Sequence, residues 1–264
     1  MRGLFPLLAI LAASTVGIAH AQEEEADLAK KLANPVSSLI SVPFQFNYDK
    51  GFGPSDGGRT TLNIQPVVPV PLNRDWNVII RTIVPFIHQE TTVPGGSNEF
   101  GMGDTTQSFF FSPSQPVNGV VWGVGPVFLW PTGTNPALRS EKWGAGPTAV
   151  LLKQEHGWTY GILANHIWSY AGSKDRPGVS STFLQPFVNY TFPDTFGITL
   201  NTESTYDWIT HEWTVPVNLM FSRIVRIGHQ PISLQIGPRY YVESPAGGPR
   251  WGARFNATLL FPAR

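Results

Sequence analysis

The chain has 264 residues with 18 basic and 18 acidic side chains, so its formal charge is zero and it offers no basic surplus to recruit nucleic acid. Charged residues are only 14%, below the roughly one quarter usual in soluble domains, while aromatics reach 12% with 9 Trp and 17 Phe. Cysteine is absent, which excludes disulfides, thiol nucleophiles and thiolate metal sites.

In chain order, Arg2 supplies a positive start, Leu4 to Ala19 an apolar run, and Ala19-His20-Ala21 a small-residue cleavage site. The expectation is a signal peptide over 1–21 and a mature chain starting at Gln22. No later run is long and apolar enough for a spanning helix, and mean hydropathy is close to zero. Gln22 to Asn34 reads as one short helix, with Glu23 to Glu25 at its start, Lys30 and Lys31 near its end, and Asn34-Pro35 stopping it. Residues 22–36 are expected to form a periplasmic lead-in, with a plug in a barrel mouth as the alternative; so short a helix is marginal alone.

From residue 37 the pattern changes to alternation. About twelve segments of spanning length follow: Ile40–Tyr48, Thr61–Val70, Trp76–Phe86, Asp104–Phe111, Val120–Trp130, Trp143–Leu151, Trp158–Trp168, Thr182–Tyr190, Phe196–Trp208, Trp213–Phe221, Ile232–Val242 and Trp251–Phe261. The last is the clearest. Its odd positions from Trp251 to Phe261 are all apolar, while Gly252, Arg254, Asn256 and Thr258 are small or polar. A strand with one greasy face, placed almost at the C-terminus, fits a seam paired on both sides, here with Ile40–Tyr48. Phe109-Phe110-Phe111 hides the parity of the fourth segment. Longer and shorter connections alternate, with two exceptions: Ile209–His211 is short for an outer loop and Arg223–Gln230 long for an inner turn.

The fold expected is therefore all-β: a transmembrane antiparallel barrel of about 12 strands over 37–264. Pro66, Pro126, Pro147, Pro186, Pro216 and Pro238 argue against it, since each falls inside a predicted strand and a closed barrel has no edge to hide it on. Bulges or locally broken pairing are expected there; a secreted β-sandwich is the structural alternative.

Several phrases carry a resemblance: LANPVSSLISVPFQFNYD, TLNIQPVVPVPLNRDWNVIIRTIVP, GMGDTTQSFFFSP, WGVGPVFLWPT, KWGAGPTAVLLKQ, WTYGILANHIWSYAG, LNTESTYDW, WTVPVNL and QPISLQIGPRYYVESP. Together they resemble a family of Gram-negative envelope proteins named for a meta-pathway of phenol degradation and labelled outer-membrane transporter-like. The resemblance spans nearly the whole mature chain. It implies a β-barrel in the cell outer membrane, linked to uptake of aromatic or apolar compounds, and it brings no catalytic motif.

With the polar faces turned inward, Glu203, Asp207, Glu212, Arg239, Glu243 and Arg254 fall in the outer half of four neighbouring strands, and Arg81 lies across the barrel. They read either as a charged constriction that selects solutes or as a salt-bridge network filling a narrow lumen. Among the histidines, His166 takes lipid-facing parity, and only His211 with Glu212 and Asp207 gives an enzyme or metal site any footing. The reading is a passive channel for small, apolar or aromatic solutes, not an enzyme, with no cofactor. Outer-membrane lipid and the barrel assembly machinery are its expected partners, the latter reading an aromatic signal at Phe261 although Pro262, Ala263 and Arg264 follow it. A structural or adhesive barrel with a filled lumen is the alternative, and an outer-membrane lipid hydrolase the third reading.

Overall fold

The computed structural model describes residues 25–261. The expected signal peptide, its cleavage site and the residues after Phe261 lie outside the described residues.

Fifteen strand segments build one antiparallel sheet. Three pairs of segments are each one spanning strand with an interruption: β2 (Gly57–Ile64) with β3 (Val67–Pro71), β5 (Glu99–Met102) with β6 (Thr105–Pro113), and β11 (Gly197–Thr202) with β12 (Ser204–Asp207). Fifteen segments less three breaks give the twelve-stranded closed barrel expected from the alternation. The other strands are β1 (Ile40–Phe52), β4 (Trp76–Gln89), β7 (Val120–Trp130), β8 (Lys142–Glu155), β9 (Trp158–Gly172), β10 (Ser180–Thr191), β13 (Glu212–Ile227), β14 (Gln230–Glu243) and β15 (Trp251–Phe261). The seam is β1 against β15, paired without interruption from Ile40↔Phe261 to Lys50↔Trp251. Closure leaves no exposed ladder edge, which is what a sheet needs in lipid.

Several strands run longer than their sequence patterns. β1 continues to Phe52 and β2 begins at Gly57, so the long connection expected over Asp49–Arg59 shrinks to a turn at 53–56. β13 continues to Ile227, because Ile224 still faces inward and is 5% exposed. The long inner turn expected at Arg223–Gln230 is thus the pair Gly228-His229, with Gly228 at a φ of 61°. Parity of the Phe triplet is settled as well: Phe110 faces in at 1% exposure and Phe111 faces out at 41%. The end carrying the turns at 72–75, 114–119, 156–157, 192–196 and 228–229 is the inner rim; the opposite end is the outer rim. On the outer rim, Arg139 and Arg176 reach Glu141 at 2.9 and 3.6 Å. The Arg139 hydrogen bond, ahead of the two positive charges, holds the Glu141 carboxyl below the usual range.

The exterior is apolar, with aromatic side chains gathered near both rims. Trp76–Trp122 and Trp158–Tyr190 pack at 5.7 and 4.8 Å near the inner rim. Trp130–Trp143, Tyr48–Trp251 and Tyr206–Trp213 pack at 5.5, 6.3 and 4.9 Å near the outer one. Two belts around an apolar band are the pattern by which barrels seat in a bilayer. His166 faces outward, its Nδ1 2.7 Å from Thr182 Oγ1 and its ring 4.0 Å from Trp168.

The prolines are accommodated by one repeated device. Pro126 and Pro147 face each other across an intact β7–β8 ladder, which turns each proline nitrogen toward its other neighbour. There the pairing is missing: β6–β7 skips from Ser108↔Val127 to Phe111↔Val124, and β8–β9 from Ala145↔Trp168 to Thr148↔Asn165. Pro238 does the same to β13–β14, between Asn218↔Arg239 and Phe221↔Ile236. Pro186 does it to β10, between Leu184↔Ser204 and Phe187↔Asn201. Each ladder resumes its register beyond the gap, so the missing N–H costs two pairs and not the strand. Pro66 sits at the β2–β3 break and Pro216 at a bulge.

Candidate functional site

Alternation places Asn47, Asp49, Arg239, Tyr241 and Arg254 on the inward face of the three adjacent strands β1, β14 and β15. Glu203 comes from the β11–β12 strand, which β13 separates from β14. It occupies the break between β11 and β12, opposite the gap left by Pro186, and its N–H reaches Pro216 O at 3.3 Å. Freed from the ladder, Glu203 makes a bidentate ion pair with Arg254, Nη1 to Oε1 at 2.8 Å and Nη2 to Oε2 at 2.6 Å. Arg254 Nε donates to Asn47 Oδ1 at 2.7 Å, and Arg254 is 5% exposed. Arg239 lies beside the pair, 3.4 Å from Asp49, 3.7 Å from Glu203 and 3.1 Å from Asn47 Oδ1.

The ion pair divides the lumen. Below it lies an inner chamber of about 250 Å³, lined by Gln45, Gln65, Arg81, Gln185, Asn201 and Phe187 among others. Above it lies an outer chamber of about 410 Å³, lined by Asp49, Arg59, Arg239, Tyr241 and the 245–249 loop. Glu203 and Arg254 border both.

The inner chamber has a floor from the N-terminal segment. The described helix, residues 25–32, and the turns after it sit in the inner mouth of the barrel. Leu28 is 1% exposed and Leu39 3%, packed on Ile224 and Leu260; Val36 packs on Ile79, Phe110, Val150, Leu152 and Leu163. Gly123 faces the same cluster: a Cβ there would lie 3.2 Å from Phe110 Cβ and 3.4 Å from Val36 Cγ1. Polar ties add Gln154 Nε2 to Lys30 O at 2.8 Å and Arg226 Nε to Glu25 Oε1 at 3.1 Å. The helix is too short to persist in water, so tertiary burial accounts for it. Leu28→Ala is expected to weaken docking by about 2–4 kcal/mol. Limited proteolysis reports this as faster cleavage within 25–39 with the barrel intact; unchanged cleavage would disprove the role of Leu28 in docking.

The inward-facing apolar cluster escaped the sequence reading. Ile79, Phe110, Val150, Leu152 and Leu163 all face the lumen, with Phe183 and Phe187 against them. Their signal was the unbroken apolar runs Val78-Ile79-Ile80, Val150-Leu151-Leu152 and Ile162-Leu163-Ala164, in which both faces are apolar and alternation disappears. Asp49 and Arg59 also line the lumen, from strand ends whose glycine-rich sequence reads as a loop.

Of the sequence-predicted residues, Glu203, Arg239 and Arg254 come together, and Arg81 interacts electrostatically with Glu203 and Arg254. Asp207, Glu212 and Glu243 do not join them. Asp207 and Glu212 pair at the base of the β12–β13 hairpin, where Asp207 Oδ1 accepts from Ile209 N at 2.7 Å and Thr210 N at 3.2 Å. Glu243 is exposed at the outer end of β14. His211 meets Tyr206 Oη at 3.5 Å. Among the described residues, no three His, Asp or Glu side chains are grouped to hold a metal.

The architecture is that of a closed antiparallel barrel with an occupied lumen. No family model matches the chain, and no curated protein matches it. Among solved structures it is similar to an outer membrane channel from Pseudomonas putida F1, at 13% identity and a TM-score of 0.62, over 85% of this chain and 96% of that one. It is also similar to the outer membrane phospholipase A from Escherichia coli, at 11% identity and a TM-score of 0.47, over 84% and 92% of the two chains. The beta domain of the Bordetella autotransporter BrkA follows at 10% identity and a TM-score of 0.46, over 85% and 100%. At such identities the likeness to the channel is one of fold.

Proposed function

We propose that the protein is an outer-membrane channel for the passive passage of small solutes with apolar or aromatic bodies. In this reading a cleaved signal exports it, the barrel assembly machinery inserts it, and outer-membrane lipid surrounds its belts. One observation carries the proposal: an inward-facing apolar cluster lies alongside a polar inner chamber of about 250 Å³. A pore for hydrophilic solutes needs a wetted wall, whereas this chamber combines hydrogen-bonding side chains with Phe187 and Val67, the two residues through which the buried cluster reaches it. The channel from Pseudomonas putida F1 shows that this fold serves as an outer membrane channel in that protein, which agrees with the reading. Passage requires the 25–39 segment to swing from the inner mouth and the Arg254–Glu203 septum to part.

The test is flux of a small neutral aromatic solute into proteoliposomes. Rates above empty liposomes, rising further in Leu28→Ala, are the expected result. Rates equal to empty liposomes in both would favour the structural or adhesive barrel with a filled lumen, which the docked segment and the septum also suit. Membrane-barrel folding is checked separately on a gel: the unboiled protein is expected to migrate faster than the boiled one, and unchanged migration would sink the outer-membrane assignment.

A further inference from the structure

We infer that the inner chamber is a binding site for small carboxylic acids in their anionic form, with Arg81 as the residue that receives the carboxylate and Phe187 and Val67 as the surface that receives the apolar body. This rests on the channel reading and specifies the solute class for it.

The argument begins with charge. The chamber is bordered by Lys31, Arg81, Arg223 and Arg254 against one acid, Glu203. Two of these cations are already matched: Lys31 pairs with Asp27 at 2.7 Å and Arg254 with Glu203 at 2.6 Å. Arg223 stands at the inner mouth and is exposed. Arg81 differs from all of them. It is held inside the lumen on β4, in register with Val67 and Ser108, and forms no salt bridge with a carboxylate among the described residues. Among the described residues its side-chain hydrogen bond goes to Gln65 Oε1, at 2.9 Å from Nη2, and Glu203 acts on it through space without contact. A guanidinium carries five donors in a planar fork, so most of its capacity is left for a carboxylate.

The rest of the wall suits the same ligand. Gln65 in turn contacts Gln45, its Nε2 donating to Gln45 Oε1. This carboxamide chain orients Arg81 without neutralising it. Glu203 would repel an incoming anion, but two bonds from Arg254 and the nearby Arg239 offset its charge. Phe187 and Val67 border the chamber and pack on the apolar cluster, so a solute bound to Arg81 can lay a ring or short chain against them. A neutral solute of the same shape gains the apolar contact alone. The carboxylate adds charge-assisted hydrogen bonds to Arg81, for a preference of about tenfold or more.

The experiment compares benzoate with benzamide, which match in shape and differ in charge. Binding to the full mature barrel in detergent is measured by calorimetry, and flux of both probes in proteoliposomes. The expected result is benzoate bound at least tenfold tighter than benzamide, with the ratio falling close to one in Arg81→Gln and largely kept in Arg81→Lys. Equal binding of the two probes by the wild-type barrel, or a benzoate preference that survives in Arg81→Gln, would overturn the site. If Arg81→Gln does not fold, by heat-modified migration, the wild-type ratio and Arg81→Lys decide: a ratio near one in either refutes it. The two readings fail separately. Arg81-dependent benzoate binding without flux of either probe would leave the site standing and remove the channel. Flux of both at equal rates with equal binding would keep the channel and remove the site.

Discussion

The Arg254→Ala barrel is expected to lose about 3–5 kcal/mol of stability and to conduct small ions faster than the wild type. Removing the guanidinium deletes two bonds of 2.8 and 2.6 Å to Glu203 and one of 2.7 Å to Asn47, and strands a carboxylate inside the lumen. Arg239, 3.7 Å from Glu203, is too far to replace the bidentate geometry. The same truncation merges the two chambers, since Arg254 borders both. Urea unfolding in micelles, followed by tryptophan fluorescence, measures the first effect, and planar-bilayer conductance the second. Adding Glu203→Gln should restore much of the stability, because the stranded charge then disappears, while conductance stays high. A single variant as stable and as resistant as the wild type would show that the pair neither ties the wall nor divides the lumen.

The second large effect concerns the glycines before the prolines. A Cβ on Gly146 would lie 1.7 Å from His166 O, and on Gly125 or Gly237 1.9 Å from Phe109 O or Leu219 O. These are backbone atoms of the neighbouring strand, so no rotamer change relieves the clash. Gly146→Ala is expected to cost about 3 kcal/mol or more, seen as loss of the fast-migrating unboiled form. Gly95→Ala is the control: nothing lies within 4 Å, and only its φ of 78° opposes the change, at about 1 kcal/mol. Equal behaviour of the two variants would mean that the Gly-Pro steps are not close approaches.

Barrel and seam were legible because pleating fixes the side-chain period at two, and β15 shows that period without a fault. The alternation also put Arg254, Arg239 and Glu203 in the lumen. What it could not supply was height. Asp207 and Glu212 share inward parity with Glu203, yet they close a rim hairpin while Glu203 reaches Arg254: Asp207 lies further along the same strand, and the partner at the height of Glu203 is set by the register of the strands between. Register is a property of strand pairs and leaves no mark on a single strand. The apolar half of the lumen was hidden for another reason: where Ile79, Leu152 and Leu163 face in and their neighbours face out, both faces are apolar and the period vanishes. Residues 25–39 posed a third problem. Their amphipathic pattern shows that a face is buried, but only the folded chain places Leu28 on Leu260 and Val36 on Phe110.

The spacing of the proline gaps has a mechanical consequence. Continuous ladders join β7 to β8, β9 to β10, and β14 through β15 to β1. The gaps fall between these units, at β6–β7, β8–β9, β10 with β11–β12, and β13–β14. The wall is therefore a set of stiff panels hinged along softer seams. A panelled cylinder ovalises at lower cost than a uniformly laced one, because bending concentrates where hydrogen bonds are already missing. Its cross-section can stretch along one diameter without breaking any ladder that is continuous at rest, and recover its shape elastically.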